Sequence, residues 1–189
     1  MIKAVIFDCF GVIRPDNLLL TYQRLGGDIE ADRRFIEDTI AAANRGMITN
    51  SRDVLAKRLG VTADDWLATL DDDTVNDQAL LDYIASLRKD FKTAILSNVG
   101  AGRLAGVVGE LELRRCFDVV AESGTLRVAK PQAESYQTVA DRLGVSCREA
   151  LFTDDNEEYC QAAQAVGMQA IVYHSFEQFK HDFEAIVKT

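Results

Sequence analysis

Carboxylates, a serine, an asparagine and a lysine recur at the ends of short apolar runs and at a helix entry, a set able to move a phosphoryl group. Asp8 follows Ala4-Val5-Ile6-Phe7, and Ser97-Asn98 follow Ile95-Leu96. Lys130 precedes Pro131, and Asp154-Asp155-Asn156 follow Leu151-Phe152-Thr153. A carboxylate that attacks a phosphoryl group must overcome repulsion between two anions. A divalent cation such as Mg2+, held by carboxylates and a backbone carbonyl, lowers that repulsion and stabilises the transition-state charge. A lysine adds a point charge for phosphate oxygens, and a serine hydroxyl with nearby backbone N–H groups adds hydrogen bonds. Each residue also has a plainer reading. Asp8 and Ser97-Asn98 fit helix or turn caps, and Lys130 fits a solvated surface lysine. Asp154-Asp155 fits that reading poorly, because adjacent carboxylates at one strand end repel unless a cation is present.

Bringing such residues together requires a scaffold with neighbouring strand ends. The run Ala4–Phe7, closed by a carboxylate and a glycine turn, is the pattern of a strand buried on both faces of a parallel sheet. Ligands of such sheets bind at the carboxyl ends of the strands. Later runs predict strands at 93–96, 117–120, 150–153 and 170–173. Helical stripes alternate with them: Leu80, Ile84 and Leu87; a short helix over about 101–109; Tyr136, Val139, Ala140 and Leu143; Tyr159, Ala163 and Val166; and Phe176, Phe179 and Phe183. Ser146-x-x-Glu149 and Ser175-x-x-Gln178 read as caps, Gly167 as a helix end, and Pro131 as a first-turn proline that fixes the approach of Lys130. This alternation predicts right-handed βαβ units and an α/β fold with a doubly wound, Rossmann-like parallel sheet.

The stretch between the first two strands is helical instead. Leu18, Tyr22 and Leu25 share one face, Ile36, Ile40 and Ala43 a second, and Val54, Leu55 and Leu59 a third. Thr62-x-x-Asp65 then opens a fourth helix carrying Trp66, Leu67 and Leu70. The expected organisation is an α/β core, 1–14 and 76–189, with a small α-helical cap, 15–75, over the end of the first strand.

Composition narrows the function. A net charge of −9 in 189 residues argues against nucleic acid or an anionic membrane as partner, since phosphate neutralisation needs clustered Lys and Arg. No segment reaches the ~20 apolar residues of a membrane span, and the N-terminus lacks the basic and long apolar regions of a signal peptide. Cys9, Cys116, Cys147 and Cys160 show no metal-type spacing and read as reduced thiols of a cytoplasmic protein. Oligomeric state leaves no mark in the sequence.

In order, Phe7-Asp8-x-x-Gly11-Val12, Leu96-Ser97-Asn98, Lys130-Pro131 and Phe152-Thr153-Asp154-Asp155-Asn156 resemble the four motifs of the haloacid dehalogenase-like hydrolases. The resemblance covers essentially the whole chain, and Gly46-Met47-Ile48-Thr49 is similar to a turn in many of their caps. It implies that Asp8 is a nucleophile that becomes an aspartyl-phosphate, and that Ser97 and Lys130 bind the transferring phosphate. Asn98, through its backbone, and Gly11 would bind substrate beside them. Asp8, Asp155 and the Phe10 carbonyl would ligate Mg2+, with Asp154 behind them or acting through water. The substrate implied is a small phosphate ester, closest to those of the sugar-phosphatase-like members.

The chain departs from the family pattern at Phe10, where most of its phosphatases carry a second aspartate for proton transfer. A phenyl ring cannot move a proton, a step typically worth about 10²–10⁴-fold. The family's metal-independent 2-haloacid dehalogenases also carry an aromatic residue there. However, they lack the acidic pair kept here as Asp154-Asp155 and have threonine in place of Val12. A protein that binds phosphoryl groups with little turnover is a further alternative. Arg14, at the exit from the core, is a candidate for the leaving group or for a salt bridge to Asp16. Cys9 is expected in the core on the face opposite Asp8, and His174 and His181 on the surface.

Overall fold

The structure, a computed structural model, describes residues 1–44, 47–48, 51–69 and 75–188. Five strands form one parallel sheet: β1 (Ala4–Phe7), β2 (Lys92–Ser97), β3 (Val119–Glu122), β4 (Ala150–Asp154) and β5 (Gln169–Val172), in the order β3-β2-β1-β4-β5. This order is the doubly wound α/β arrangement, with β1 central between β2 and β4. Phe7 pairs with Ile95 on one side and Thr153 on the other. Asp8, Ser97 and Asp154 therefore leave the sheet side by side.

Alternation along the strands divides the core. Val5, Phe7, Ile95 and Leu151 face α5 (Gln78–Leu87), α7 (Glu110–Cys116) and α11 (Phe176–Val187), where Phe7 meets Phe179 edge-on at 5.3 Å. The short α8 (Ser123–Leu126) follows β3, and Ala4, Ile6, Leu96 and Phe152 face α9 (Ala133–Leu143) and α10 (Glu157–Ala165). Both sheet faces are covered, which is why these strands read as unbroken apolar runs. A third cluster of Tyr22, Ile36, Leu55, Ala56 and Trp66 joins α1 (Leu18–Arg24), α2 (Arg33–Asn44), α3 (Ser51–Leu59) and α4 (Ala63–Ala68). The Tyr22 hydroxyl donates to Asp32, which also pairs with Arg58 at 2.6 Å. Among the described residues no helix is long and apolar enough to cross a membrane.

Several local expectations hold. Ser175 accepts from the Gln178 N–H, Thr62 and Asp65 cap each other, and Ser146 with Glu149 forms a capping box on the short 3-10 turn Cys147–Glu149. Others shift. The stretch expected as one helix over 101–109 is α6 (Arg103–Val107), which Gly109, at φ +96, separates from α7. β3 begins at Val119 rather than 117: Phe117 closes α7, and the Asp118 carboxylate binds the Thr93 N–H. Pro131 precedes its helix instead of opening it, because a turn closed by the Gln132 N–H onto the Ala129 carbonyl delays the helix to Ala133. Gly46 and Thr49 of the cap-like turn, and Leu70, lie outside the described residues.

Candidate active site

Asp8 is the first residue beyond β1, and its N–H donates to the Thr153 carbonyl at 2.9 Å. That bond ties the turn to β4 and aims the carboxylate at the sheet's carboxyl edge, where it is 7% exposed. Lys130, 3% exposed, reaches the same point from the turn before α9. Its Nζ lies 2.7 Å from Asp8 Oδ1 and 2.5 Å from Asp154 Oδ2. The ammonium also lies over the rings of Tyr159, at 5.0 Å, and Phe152, at 5.4 Å. Asn98 fixes it from behind, accepting from the Lys130 N–H and donating to the Lys130 carbonyl, both at 2.9 Å. This side-chain clamp was not foreseen from the sequence, which assigned Asn98 a role through its backbone.

The electrostatics follow from that burial. Desolvation, joined by the charge of Asp154, pushes the Asp8 carboxyl up to about 7 against the pull of Lys130. For Lys130, desolvation works against the charge, but Asp8 and Asp154 outweigh it and hold the ammonium above its ordinary value. One buried cation thus serves two buried carboxylates.

Asp154 is the last residue of β4; its Oδ1 accepts from the Asn156 N–H at 2.9 Å. Asp155, exposed beside it, is pushed up by partial burial and by Asp154. Carboxylate oxygens of Asp8, Asp154 and Asp155 lie within 4.8 Å of one another. Gly11 is what lets Asp155 approach: its φ is +84, and a Cβ there would fall on the Asp155 carboxylate. Gly11 thus borders the acidic cluster.

Ser97, at the end of β2, lines the same cavity as these groups, and its hydroxyl makes no hydrogen bond among the described residues. Phe10 is half-buried in the cavity wall, in a turn closed by the Gly11 N–H onto the Arg14 carbonyl. Arg14 also lines the cavity. It donates to the Val107 carbonyl at 3.1 Å, while Asp16 accepts from the Leu18 N–H instead of pairing with it. Cys9 is wholly buried in the opposite cluster, its thiol pushed far up by burial and by Asp8. His174 and His181 are exposed.

Tyr159 and Glu122 are among the groups at or behind the site that the sequence does not reveal. Tyr159 was read as part of a core stripe, but its ring meets the Lys130 ammonium. Glu122 accepts from the N–H groups of Gly102 and Leu104, at 2.6 and 2.7 Å, and so anchors the loop that follows Asn98. No local motif marks either residue. The cavity measures about 460 Å³, a size suited to a metabolite.

The doubly wound sheet thus sets a buried carboxylate at the end of its central strand, a lysine against it and further carboxylates at the next strand. The family model of haloacid dehalogenase-like hydrolases matches residues 2–167, and the chain belongs to that family. The Phosphatase MT3486 of Mycobacterium tuberculosis is 33% identical over 89 residues, 44% of this chain; the match spans 39% of that relative's length. A HAD family enzyme of Bacteroides thetaiotaomicron, solved in complex with magnesium and inorganic phosphate, shares the fold at a TM-score of 0.73. It is 21% identical, with 97% of this chain and 100% of that one covered. The L-2-haloacid dehalogenase of Xanthobacter autotrophicus, solved with chloropropionic acid covalently bound, follows at a TM-score of 0.63 and 23% identity, covering 98% of this chain and 83% of that one.

Proposed function

We propose that this chain is a Mg2+-dependent phosphomonoester hydrolase acting on a small phosphorylated metabolite, of the sugar-phosphate kind, through an aspartyl-phosphate on Asp8. The observation that carries this reading is the set of three carboxylates within 4.8 Å, of which Lys130 contacts two. The donors are all oxygen, as a hard cation requires, and the glycine at position 11 leaves room for the outermost of them. Asp8, Asp155 and the Phe10 carbonyl would hold the ion, with Asp154 behind them. When bound, Mg2+ supplies positive charge that eases the approach of one anion to another.

The chain's own residues account for the rest. A carboxylate oxygen of Asp8 bonds to phosphorus as the bond to the ester oxygen breaks. Lys130 and the Ser97 hydroxyl hold the phosphoryl oxygens, and the Asn98 clamp keeps Lys130 in place. Water then attacks phosphorus and frees Asp8. Phe10 takes no part in proton transfer, so the leaving group departs without help from that position. Residues 15–75 serve as the cap, with Trp66 and Ile40 in the cavity wall.

Phe10 also suits a metal-free dehalogenase, and the likeness to a haloacid dehalogenase keeps that reading in the test. Hydrolysis of p-nitrophenyl phosphate with Mg2+, lost at least 100-fold in EDTA, is the expected result. An aryl ester is expected to exceed an alkyl ester at least tenfold in kcat/KM, because phenolate leaves without a proton. Halide release from 2-chloropropionate without ester hydrolysis would replace the proposal with dehalogenation. Neither activity, with phosphate still bound, would make this a phosphoryl-binding protein.

Gly11 sets the room available to Asp155. Gly11→Ala places a methyl group on the Asp155 carboxylate at a backbone φ of +84, so Asp155 must swing away. Mg2+ is expected to raise the melting temperature of the parent and to lose most of that effect in the variant, as read by differential scanning fluorimetry.

A further inference from the structure

The cavity has a second charged region that phosphoryl transfer leaves unused. Arg14, Arg52 and Arg103 all line it, carried by the β1 exit turn, α3 and α6. Arg52 pairs with Asp53 at 3.1 Å, and Arg14 spends one N–H on the Val107 carbonyl. The guanidinium of Arg103, half-buried, makes no hydrogen bond or ion pair among the described residues. Burial and the like charges of Arg52 and Arg14 depress its pKa, and Asp53 only partly offsets them. The charges acting on Asp155 are a different set: Asp154, Asp16 and Lys130. One cavity thus carries an acidic pole at the strand ends and an arginine pole at its cap side and rim.

We infer that the arginine pole is a subsite for a second anionic group on the substrate, a carboxylate or a second phosphate. The ester hydrolysed would then be a phosphorylated acid or a bisphosphate rather than a neutral sugar phosphate. The inference rests on the phosphoryl group occupying the Asp8–Lys130 pole. Guanidinium groups offer planar pairs of N–H donors that match carboxylate and phosphate oxygens two at a time. Apolar walls such as Trp66, Ile40 and Val107 lower the local dielectric and strengthen that attraction. Among the described residues the Asp53 carboxylate, already paired with Arg52, only partly offsets the like charges beside Arg103, and a neutral ligand would add nothing to it. An anion relieves that repulsion as it binds. The volume of about 460 Å³ holds a compact ligand charged at both ends.

The test is calorimetric titration in EDTA, which suppresses turnover, with glycerol 3-phosphate, 3-phosphoglycerate and propane-1,3-diol bisphosphate. The parent protein is expected to bind at least one of the doubly anionic ligands 10-fold or more tightly than glycerol 3-phosphate. Whichever it prefers tells carboxylate from second phosphate. Arg103→Gln is expected to reduce that ratio at least 5-fold, and Arg103→Lys to restore part of it, which a general folding defect would not do. Equal binding of all three ligands by the parent overturns the inference, as does a ratio unmoved by Arg103→Gln. Turnover of p-nitrophenyl phosphate, run alongside, reports separately on the phosphatase reading. Preserved selectivity without turnover sinks the phosphatase and keeps the anion subsite; turnover without selectivity does the reverse.

Discussion

Asp8→Asn is expected to lower phosphate-ester turnover by a factor on the order of 10⁴ or more, since an amide cannot form the covalent intermediate. The same variant should fold at least as well as the parent. Burial pushes the Asp8 carboxyl from 3.8 up to about 7, so above pH 7 the native state carries a charge it holds poorly. The sign follows from linkage. With the folded pKa above the unfolded one, this group's contribution to stability is complete below about pH 4 and is lost as the pH rises through 7. Asparagine carries no such charge, and Lys130 keeps Asp154 as its partner at 2.5 Å. In EDTA at pH 8, Asp8→Asn is therefore expected to melt about 2–4 °C higher than the parent, a gain on the order of 1 kcal/mol. The gain should shrink toward pH 5, where Asp8 of the parent is itself protonated. Mg2+ should reverse the ranking, because the ion stabilises the parent through a carboxylate the variant lacks. An Asp8→Asn protein that keeps substantial turnover would remove Asp8 from the chemistry. One that melts lower at pH 8 would show that the Lys130 pairing outweighs the cost of burying the charge.

How much of this could be read from the chain depends on whether the cause is local. Strands β1, β2 and β4 were legible because burial on both sheet faces demands uninterrupted apolar runs, and a polar residue ends each run where the chain leaves the sheet. Asp8, Ser97 and Asp154 stand at those ends, so the acidic half of the site came with the strands. α7 was not legible. Leu113 and Cys116 are its buried positions within seven residues, too few to establish a helical period. β3 was placed early because Phe117, Val119 and Val120 read as one apolar run, although Phe117 packs as the end of a helix. Tyr159, Glu122 and Arg103 belong to the site or its frame through tertiary approach alone. A tyrosine in an amphipathic stripe, a glutamate at a strand end and an arginine after a glycine carry no local signal of what they will face. The four-helix cluster around Tyr22 and Trp66 was legible as helices, but not the seating of Asp32 between Tyr22 and Arg58.

Lys130→Met isolates the electrostatic core of the site. Methionine fills the space of the lysine stem but leaves Asp8 and Asp154 buried without a counter-ion, and removing one partner of a buried charge set typically costs about 3–5 kcal/mol. The cost is expected to depend on pH in a way that packing loss cannot imitate. Without the ammonium, desolvation and the charge of Asp154 raise the Asp8 carboxyl further, so the native state takes up a proton that the unfolded chain releases. Groups with raised native pKa values give their full contribution to stability at low pH and lose it as the pH rises. The deficit of Lys130→Met against the parent should therefore be about 3–5 kcal/mol at pH 8 and fall by at least half at pH 5.5, as measured by urea unfolding in EDTA. Adding Asp8→Asn to Lys130→Met should recover much of the pH 8 deficit, since one of the two stranded charges is then gone and the pair is energetically coupled. Turnover should fall at least 100-fold in the single variant even at pH 5.5, because protonating Asp8 restores stability but supplies neither the lysine charge for the phosphate oxygens nor an ionised nucleophile. A deficit equal at both pH values would place the cost in packing against Phe152 and Tyr159, whose rings lie 5.4 and 5.0 Å from the ammonium, and would deny Lys130 its part in setting the charge state of Asp8.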